Sequence, residues 1–301
     1  MRAVWSFWSK PYRAGQCHAW LSEFHHALAW SLSVQEASKH YSDTWLYTDD
    51  EGARLLVDQL GLPFVHVCTD LNTLDDHDPG WWALGKLHTY RLQDEPFIHI
   101  DADAFLWLPL PERLLQADIL AQNPDVFVPG ESFYYPERIE QALSSVNGWL
   151  PKEWLWARAS RRVLLGVGCG LLGANRLDFI RYIADLAFEI IEKPANRAAM
   201  ATVKDKFPLM VLLEQFLIGC CLEYHRAQPL SPFSGVTIAY LFDSGADLFN
   251  PEQAARVGYT HLIAGAKRIP AVARLLEERI RRDDPAQFER CKRVGGALMA
   301  T

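Results

Sequence analysis

What this sequence lacks narrows its class before what it contains is considered. Its six cysteines, at positions 17, 68, 169, 220, 221 and 291, form no CxxC pair. That spacing suits neither a structural zinc site nor a disulfide framework. It fits reduced, mostly buried thiols and a cytoplasmic protein. The opening residues 1–15 mix Arg, Lys, Trp and Ser and lack the apolar core of a secretion signal. The greasiest run, 207–222, is interrupted by Glu214 and is short for a bilayer span. Positive charge is not in excess either. Thirty Lys and Arg face thirty-seven Asp and Glu, for a formal net charge of −7. A general nucleic-acid binder would carry a basic face, so nucleic acid is not an expected partner. Internal repeats and low-complexity linkers are missing as well.

What is present is a large potential core. Half of the 301 residues are hydrophobic, far too many for a disordered chain. Residues 3–8 are β-branched and aromatic and read as a strand, followed by a loop over 9–15. Leu21, Phe24, Leu28 and Leu32 share one face of a helix predicted over 18–40. A strand over 44–48 ends at Asp49 and Asp50, which are placed to cap a helix over 51–60. A strand over 64–68, a helix over 81–92 and a strand over 97–100 follow. This order predicts an α/β domain with a mostly parallel sheet and helices on its faces. Further strands are expected over 125–129 and 235–242, an apolar Gly-rich segment over 163–173, and helices over 176–192, 207–224 and 270–282. Residues 133–160, with Pro136, Pro151 and Trp149, Trp154 and Trp156, read as a lid or acceptor-facing insertion. Residues 258–267 read as a loop. The expected organisation is one domain over 1–282 and a basic C-terminal tail over 283–301, a short basic helix with a frayed end.

Two Asp-x-Asp motifs occur. Asp76-His77-Asp78 lies in a polar loop with no strand before it. Asp101-Ala102-Asp103 follows the run Phe97-Ile98-His99-Ile100, so a buried strand delivers two carboxylates to its C-terminal end. In open α/β sheets that edge binds ligands. Two such acids need a partner, and a hard divalent cation bridging to phosphate is a natural one. Downstream, His261 and Lys267 straddle a small-residue turn. A neutral imidazole ligates Mn²⁺, and a lysine neutralises a departing diphosphate. A lone histidine is more often structural, so this segment gains its meaning from the acids. Gly168, Gly170 and Gly173 permit close backbone approach but lack the setting of a dinucleotide fingerprint or a P-loop. Glu214-Gln215 lies in an otherwise apolar helix, where a carboxylate needs a partner or a raised pKa.

In this order the motifs resemble those of GT-A glycosyltransferases, nearest the glycogenin and lipopolysaccharide-galactosyltransferase type. There a helix with a lysine precedes a strand ending in DxD, as Lys86 precedes Asp101 and Asp103. A Gly-rich strand with a downstream Asn follows, as in 168–175. An Asp-Gln pair comes next, where this chain has Glu214-Gln215. A His-x-x-Gly-x-x-Lys segment closes the series; here the glycine, Gly265, falls one residue late. These departures point to a separate bacterial branch of that type.

The resemblance implies a single Rossmann-like GT-A domain that transfers a sugar from a nucleotide-diphosphate donor, a UDP-sugar being favoured, to an acceptor hydroxyl, with retention as one outcome. It implies Mn²⁺ or Mg²⁺ held by Asp101, Asp103 and His261. It places Trp8, Lys10, Asp49, Lys86, Asp101 and Lys267 around the donor, and Glu214 and Gln215 by the reacting sugar. The acceptor would be a glycan, a lipid-linked sugar or a protein, which leaves room for a peripheral membrane contact. Two rivals remain: a sugar-phosphate nucleotidyltransferase, faintly echoed in residues 9–15, and a non-catalytic carbohydrate-binding protein using the Trp-rich segment.

Overall fold

The computed structural model describes residues 1–15, 20–131 and 133–298. Cys17 and the expected helix start at 18 lie outside them. The strands are β1 (Arg2–Phe7), β2 (Thr44–Thr48), β3 (His66–Cys68), β4 (Phe97–Ile100), β5 (Ala104–Leu106), β6 (Ile119–Phe127), β7 (Leu164–Ala174), β8 (Ile238–Tyr240) and β9 (Tyr259–His261). Seven form one sheet in the order β3-β2-β1-β4-β7-β6-β8, and β5 pairs with β9 in a separate ribbon. The pairings of β1 with β2 and β4, of β2 with β3 and of β6 with β8 are parallel. β7 runs antiparallel to both β4 and β6. The sheet is therefore mostly parallel, and the fold is mixed α/β.

Strand alternation sorts the core into two layers. Val4, Phe97 and Ala121 face a layer that includes the helices Leu84–Leu92 and Leu177–Glu192 and the run Leu209 to Leu222. Ala3, Trp5, Ile98, Ile100 and Leu120 face the helices Glu23–Ser38 and Pro270–Asp283. Helices cover both faces, so the central strands β1 and β4 read as continuous apolar runs.

Several local expectations change. Residues 9–15 hold a short helix, Ser9–Arg13, rather than a loop alone. β6 begins at Ile119, well before residue 125, because a strand buried among neighbours shows no alternation at its start. The expected loop over 258–267 contains β9 and a 3-10 turn, Ala264–Arg268. A three-residue strand paired with a partner 150 residues away has no local period to read. The tail forms a helix, Pro285–Leu298, that buries Phe288, Cys291 and Val294 in the same core as Leu28 and Trp5. Gln287 Nε2 ties it to the carbonyl of Leu60 at 2.9 Å.

The apolar run 207–226 is the one described helix long and apolar enough to cross a membrane. Its most apolar window is 67% buried inside the protein, as a core helix requires. It is not one regular helix: a 3-10 turn, Phe207–Leu209, and a π-helical turn, Leu212–Phe216, precede α-helix Leu217–Arg226. The insertion 133–160 forms two helices, Pro136–Ser144 and Lys152–Ser160. Trp154 is fully buried there, and its Nε1 donates to Glu140 at 2.8 Å, so that indole has no face to offer a sugar. The described cysteines, 68, 169, 220, 221 and 291, are free thiols.

Candidate metal centre

β4 carries Asp101 to the C-terminal end of the parallel strands, where the backbone turns sharply into β5. The turn is closed by Ala104 N–H donating to Asp101 O at 2.9 Å, and Ser33 Oγ of the helix Glu23–Ser38 donates to the same carbonyl at 3.1 Å. β5 then pairs antiparallel with β9 in a register that sets Ala104 against His261. Leu262 N–H donates to Asp103 O at 2.9 Å. This ribbon brings together residues far apart in sequence. One ligand atom each from Asp101, Asp103 and His261 lies within 4.8 Å of the others. His261 Nε2 is 3.2 Å from Asp103 Oδ1, and Lys267 Nζ pairs with Asp103 Oδ2. The left-handed φ of 48° at Ala264 begins the turn that doubles Lys267 back onto that carboxylate.

Lys86 sits beneath these acids. Its ammonium is 2.8 Å from Asp101 Oδ1 and 2.5 Å from Glu214 Oε1, and it donates to Cys169 O at 3.0 Å. One hydrogen bond and two ion pairs thus surround the ammonium. The hydrogen bond exists because β7 bulges there. Ala121 pairs with Leu172 and Asn123 with Gly168, so Cys169, Gly170 and Leu171 together face Gln122. A bulge leaves backbone groups outside the ladder, and here Lys86 and Asp101 N–H take up the carbonyls of Cys169 and Gly170. Glu214 lies within the π-helical turn, a distortion common at functional sites.

The electrostatics follow from burial and pairing. Burial alone would lower Lys86, but Asp101 and Glu214 outweigh it and hold the ammonium charged, well above lysine's usual range. Burial pushes the Glu214 carboxyl up against the pull of Lys86, and Asp101 adds to the rise. Burial would also raise Asp103, but Lys267 and His261 reverse this and keep it ionised far below the usual carboxylate range. His99 on β4 takes a hydrogen bond at Nε2 with Ser6 Oγ, 2.9 Å away, and its Nδ1 lies 3.7 Å from Asp101 Oδ1. Burial first, then Lys86, lowers its pKa well below that of free histidine, so it stays neutral.

Of the residues expected around the donor, Lys86, Asp101 and Lys267 belong to this cluster, while Asp49, Lys10 and Trp8 have other partners or surroundings. Asp49 caps two turns at once: Oδ1 accepts from Gly52 N at 2.7 Å, and Oδ2 accepts from Ser9 N and Oγ, each at 2.8 Å. Lys10 reaches the carbonyls of Asp75 and His77 and ties the 70–80 loop to the end of β1. Trp8 is only 5% exposed and packs in the core beside Leu71 and Leu84, with its Nε1 unpartnered. Gln215 turns from Glu214 toward Tyr134, whose hydroxyl donates to its Oε1 at 2.5 Å and lies 3.1 Å from Asp125. Asn175 pins the end of β7, with Nδ2 donating to the carbonyls of Leu115 and Ala117 at 2.8 and 2.7 Å. The other Asp-x-Asp is occupied structurally: Asp78 accepts from Gly80 N and pairs with Lys206, while His77 pairs with Glu192.

Sequence reasoning passed over Gln122 and Tyr259. Both side chains are buried, and Gln122 Oε1 lies 2.7 Å from His261 Nδ1 and 2.8 Å from Tyr259 OH. The signal was Gln122-Asn123, two amides inside an apolar strand, which buried positions tolerate only when satisfied.

The donor set of two carboxylates and one imidazole suits Mn²⁺ or a similar divalent ion, and the side chains keep some access to solvent, Asp101 being 25% exposed. No curated protein matches the chain. Among solved structures, it is similar to the crystal structure of a nucleoside-diphosphate-sugar pyrophosphorylase from Vibrio cholerae RC9, at a TM-score of 0.36 and 10% identity. That alignment covers 92% of this chain and 99% of the other, a likeness too slight to argue from. The model of the Family of unknown function (DUF6734) matches residues 1–294, and the chain belongs to that family.

Proposed function

We propose that this chain is a metal-dependent glycosyltransferase that moves a sugar from a nucleotide-diphosphate donor to an acceptor hydroxyl. The observation that carries this reading is the convergence of Asp101, Asp103 and His261 at the C-terminal edge of β4, with Lys267 against Asp103. A divalent cation held by those three groups would neutralise charge on the diphosphate as the glycosidic bond to phosphate breaks. Lys267 adds a second positive charge at the same place, worth more in the transition state than in the ground state. Lys86 bridges Asp101 and Glu214 and so fixes the carboxylate that faces the cation. Glu214, 1% exposed and bound to Lys86, serves charge balance rather than proton abstraction. The acceptor proton then leaves on the departing diphosphate, the course expected for retention. Asp49, Ser9 and Trp8 shape the strand ends that border the nucleotide, and the fold and reduced thiols suit a cytoplasmic enzyme of the GT-A type.

The test is product analysis with UDP-, GDP- and CDP-sugars, Mn²⁺ and simple sugar acceptors. The reading predicts release of a nucleoside diphosphate, dependent on the metal and lost in Asp103→Ala. Release of pyrophosphate from a nucleoside triphosphate and a sugar phosphate would instead make the protein a nucleotidyltransferase. Failure to bind any nucleotide sugar would favour a carbohydrate-binding protein.

A further inference from the structure

A chain of hydrogen bonds behind His261 dictates which ring nitrogen faces the acids. It starts at the carbonyl of Pro124, which has lone pairs only. Asn123 must therefore present its Nδ2 there, and does so at 3.0 Å. That fixes Asn123 Oδ1 toward Gln122, whose Nε2 donates to it at 2.9 Å. Gln122 is then obliged to aim its Oε1 at His261 Nδ1, 2.7 Å away. An amide oxygen cannot donate, so Nδ1 carries a hydrogen and Nε2, 3.2 Å from Asp103 Oδ1, is the nitrogen left to face a cation beside the acids. Tyr259 OH donates to the same Gln122 oxygen at 2.8 Å and holds it in place. The β7 bulge makes the room: a Cβ at Gly170 would overlap both His261 Nδ1 and Gln122 Oε1.

We infer that Gln122 is a positioning residue for a divalent cation, acting through His261 and not touching the ion itself. This rests on the metal reading of Asp101, Asp103 and His261. Partners of this kind orient the imidazole before binding and fix its tautomer, and their loss typically costs 10–100-fold in metal affinity. A neutral amide orients the ring while adding less basicity than a carboxylate would.

The experiment is titration of the purified protein with Mn²⁺ alone, followed by loss of the free-ion paramagnetic resonance signal, with metal-free melting temperatures as a folding control. Gln122→Leu removes the acceptor and is expected to raise the Mn²⁺ dissociation constant about 10–100-fold. Gln122→Glu keeps an acceptor toward Nδ1 and is expected to bind within a few-fold of the unsubstituted protein or tighter, a rescue that a merely structural role does not predict. Gly170→Ala disturbs the same contact from β7 and is expected to weaken binding without altering Gln122, so the inference stays testable if Gln122→Leu fails to fold. Unchanged affinity in Gln122→Leu or, if that variant fails to fold, in Gly170→Ala would overturn the inference while leaving the metal site standing. Absence of Mn²⁺ binding by the unsubstituted protein would overturn the reading beneath it.

Discussion

Two clusters of buried acid and histidine share this molecule, and their contrast shows what marks a site. Around Asp101, three acids (Asp101, Asp103 and Glu214) face two lysines, and the groups come from the end of β4, the β5–β9 ribbon and a π-helical turn. The second cluster has one acid, Glu153, 1% exposed, which accepts from Tyr182 OH at 2.5 Å, lies 3.6 Å from His225 Nε2 and is matched by one cation, Lys152, whose Nζ is 4.0 Å from its Oε1. His225 Nδ1 is bonded with Ser231 Oγ at 2.6 Å, and Phe179, Tyr182, Tyr224 and Phe233 surround the ring. Both clusters are ionisable and each contains a buried acid, Glu214 in one and Glu153 in the other. Only the first has more acids than cations and some opening to solvent at the strand ends. Burial of a polar group therefore does not identify a site; unmatched charge at an open edge does.

Four measurements would break or sharpen that contrast. The largest effect is expected from Lys86→Met, which strands the buried Glu214 carboxylate and the partly exposed Asp101 without their shared cation. It should cost about 3–5 kcal/mol of stability, read from urea midpoints. Next is Asp103→Ala, which should abolish Mn²⁺ binding and lower sugar transfer by roughly 10²–10³-fold, in steady-state assays.

In the second cluster, Glu153→Gln should cost about 1–3 kcal/mol by weakening the bond from Tyr182, yet leave Mn²⁺ affinity untouched. If it weakened metal binding, the two clusters would not be independent. The smallest effect is one of pH. Burial, opposed in part by Glu153, lowers the pKa of His225 in the folded state. Below the ordinary histidine pKa of about 6.5 the unfolded chain then binds the extra proton, so stability falls as pH drops. The slope approaches about 1.4 kcal/mol per pH unit until the folded state also takes up the proton. Chemical denaturation at pH 7.5 and 5.5 should show this loss, and His225→Phe should reduce it, the remainder coming from His99, whose pKa burial also lowers.

The architecture was legible where local signals are strong. β1, β2 and β4 announce themselves as apolar runs, and Asp49 as a helix cap, because each depends on neighbours in sequence. Asp101 and Asp103 were legible because a buried strand leads into them. The pairing with His261 was anticipated by spacing and resemblance, but its cause, a three-residue ribbon across 150 residues, left no periodic trace. Lys86 was expected near the donor; its bond to the Cys169 carbonyl depends on a bulge in β7 that only the paired register reveals. Gln122 was hidden for the same reason. Its role arises from which amide end faces His261, and that is decided by Pro124 through Asn123. The helix Pro285–Leu298 was read as a short basic tail helix, and its charge masked the stripe of Phe288, Cys291 and Val294 that packs into the core.

The central claim is that the three converging groups hold a divalent cation, which in turn holds a nucleoside diphosphate. The direct measurement is the thermal stability of the protein with UDP, with Mn²⁺, and with both. Ligands that bind the native state raise its stability, and a ternary site does so more than additively. The account predicts a rise with both together that exceeds the sum of the separate rises and disappears in Asp103→Ala. A UDP shift that is the same in Mn²⁺ and in chelator, and survives in Asp103→Ala, would contradict it.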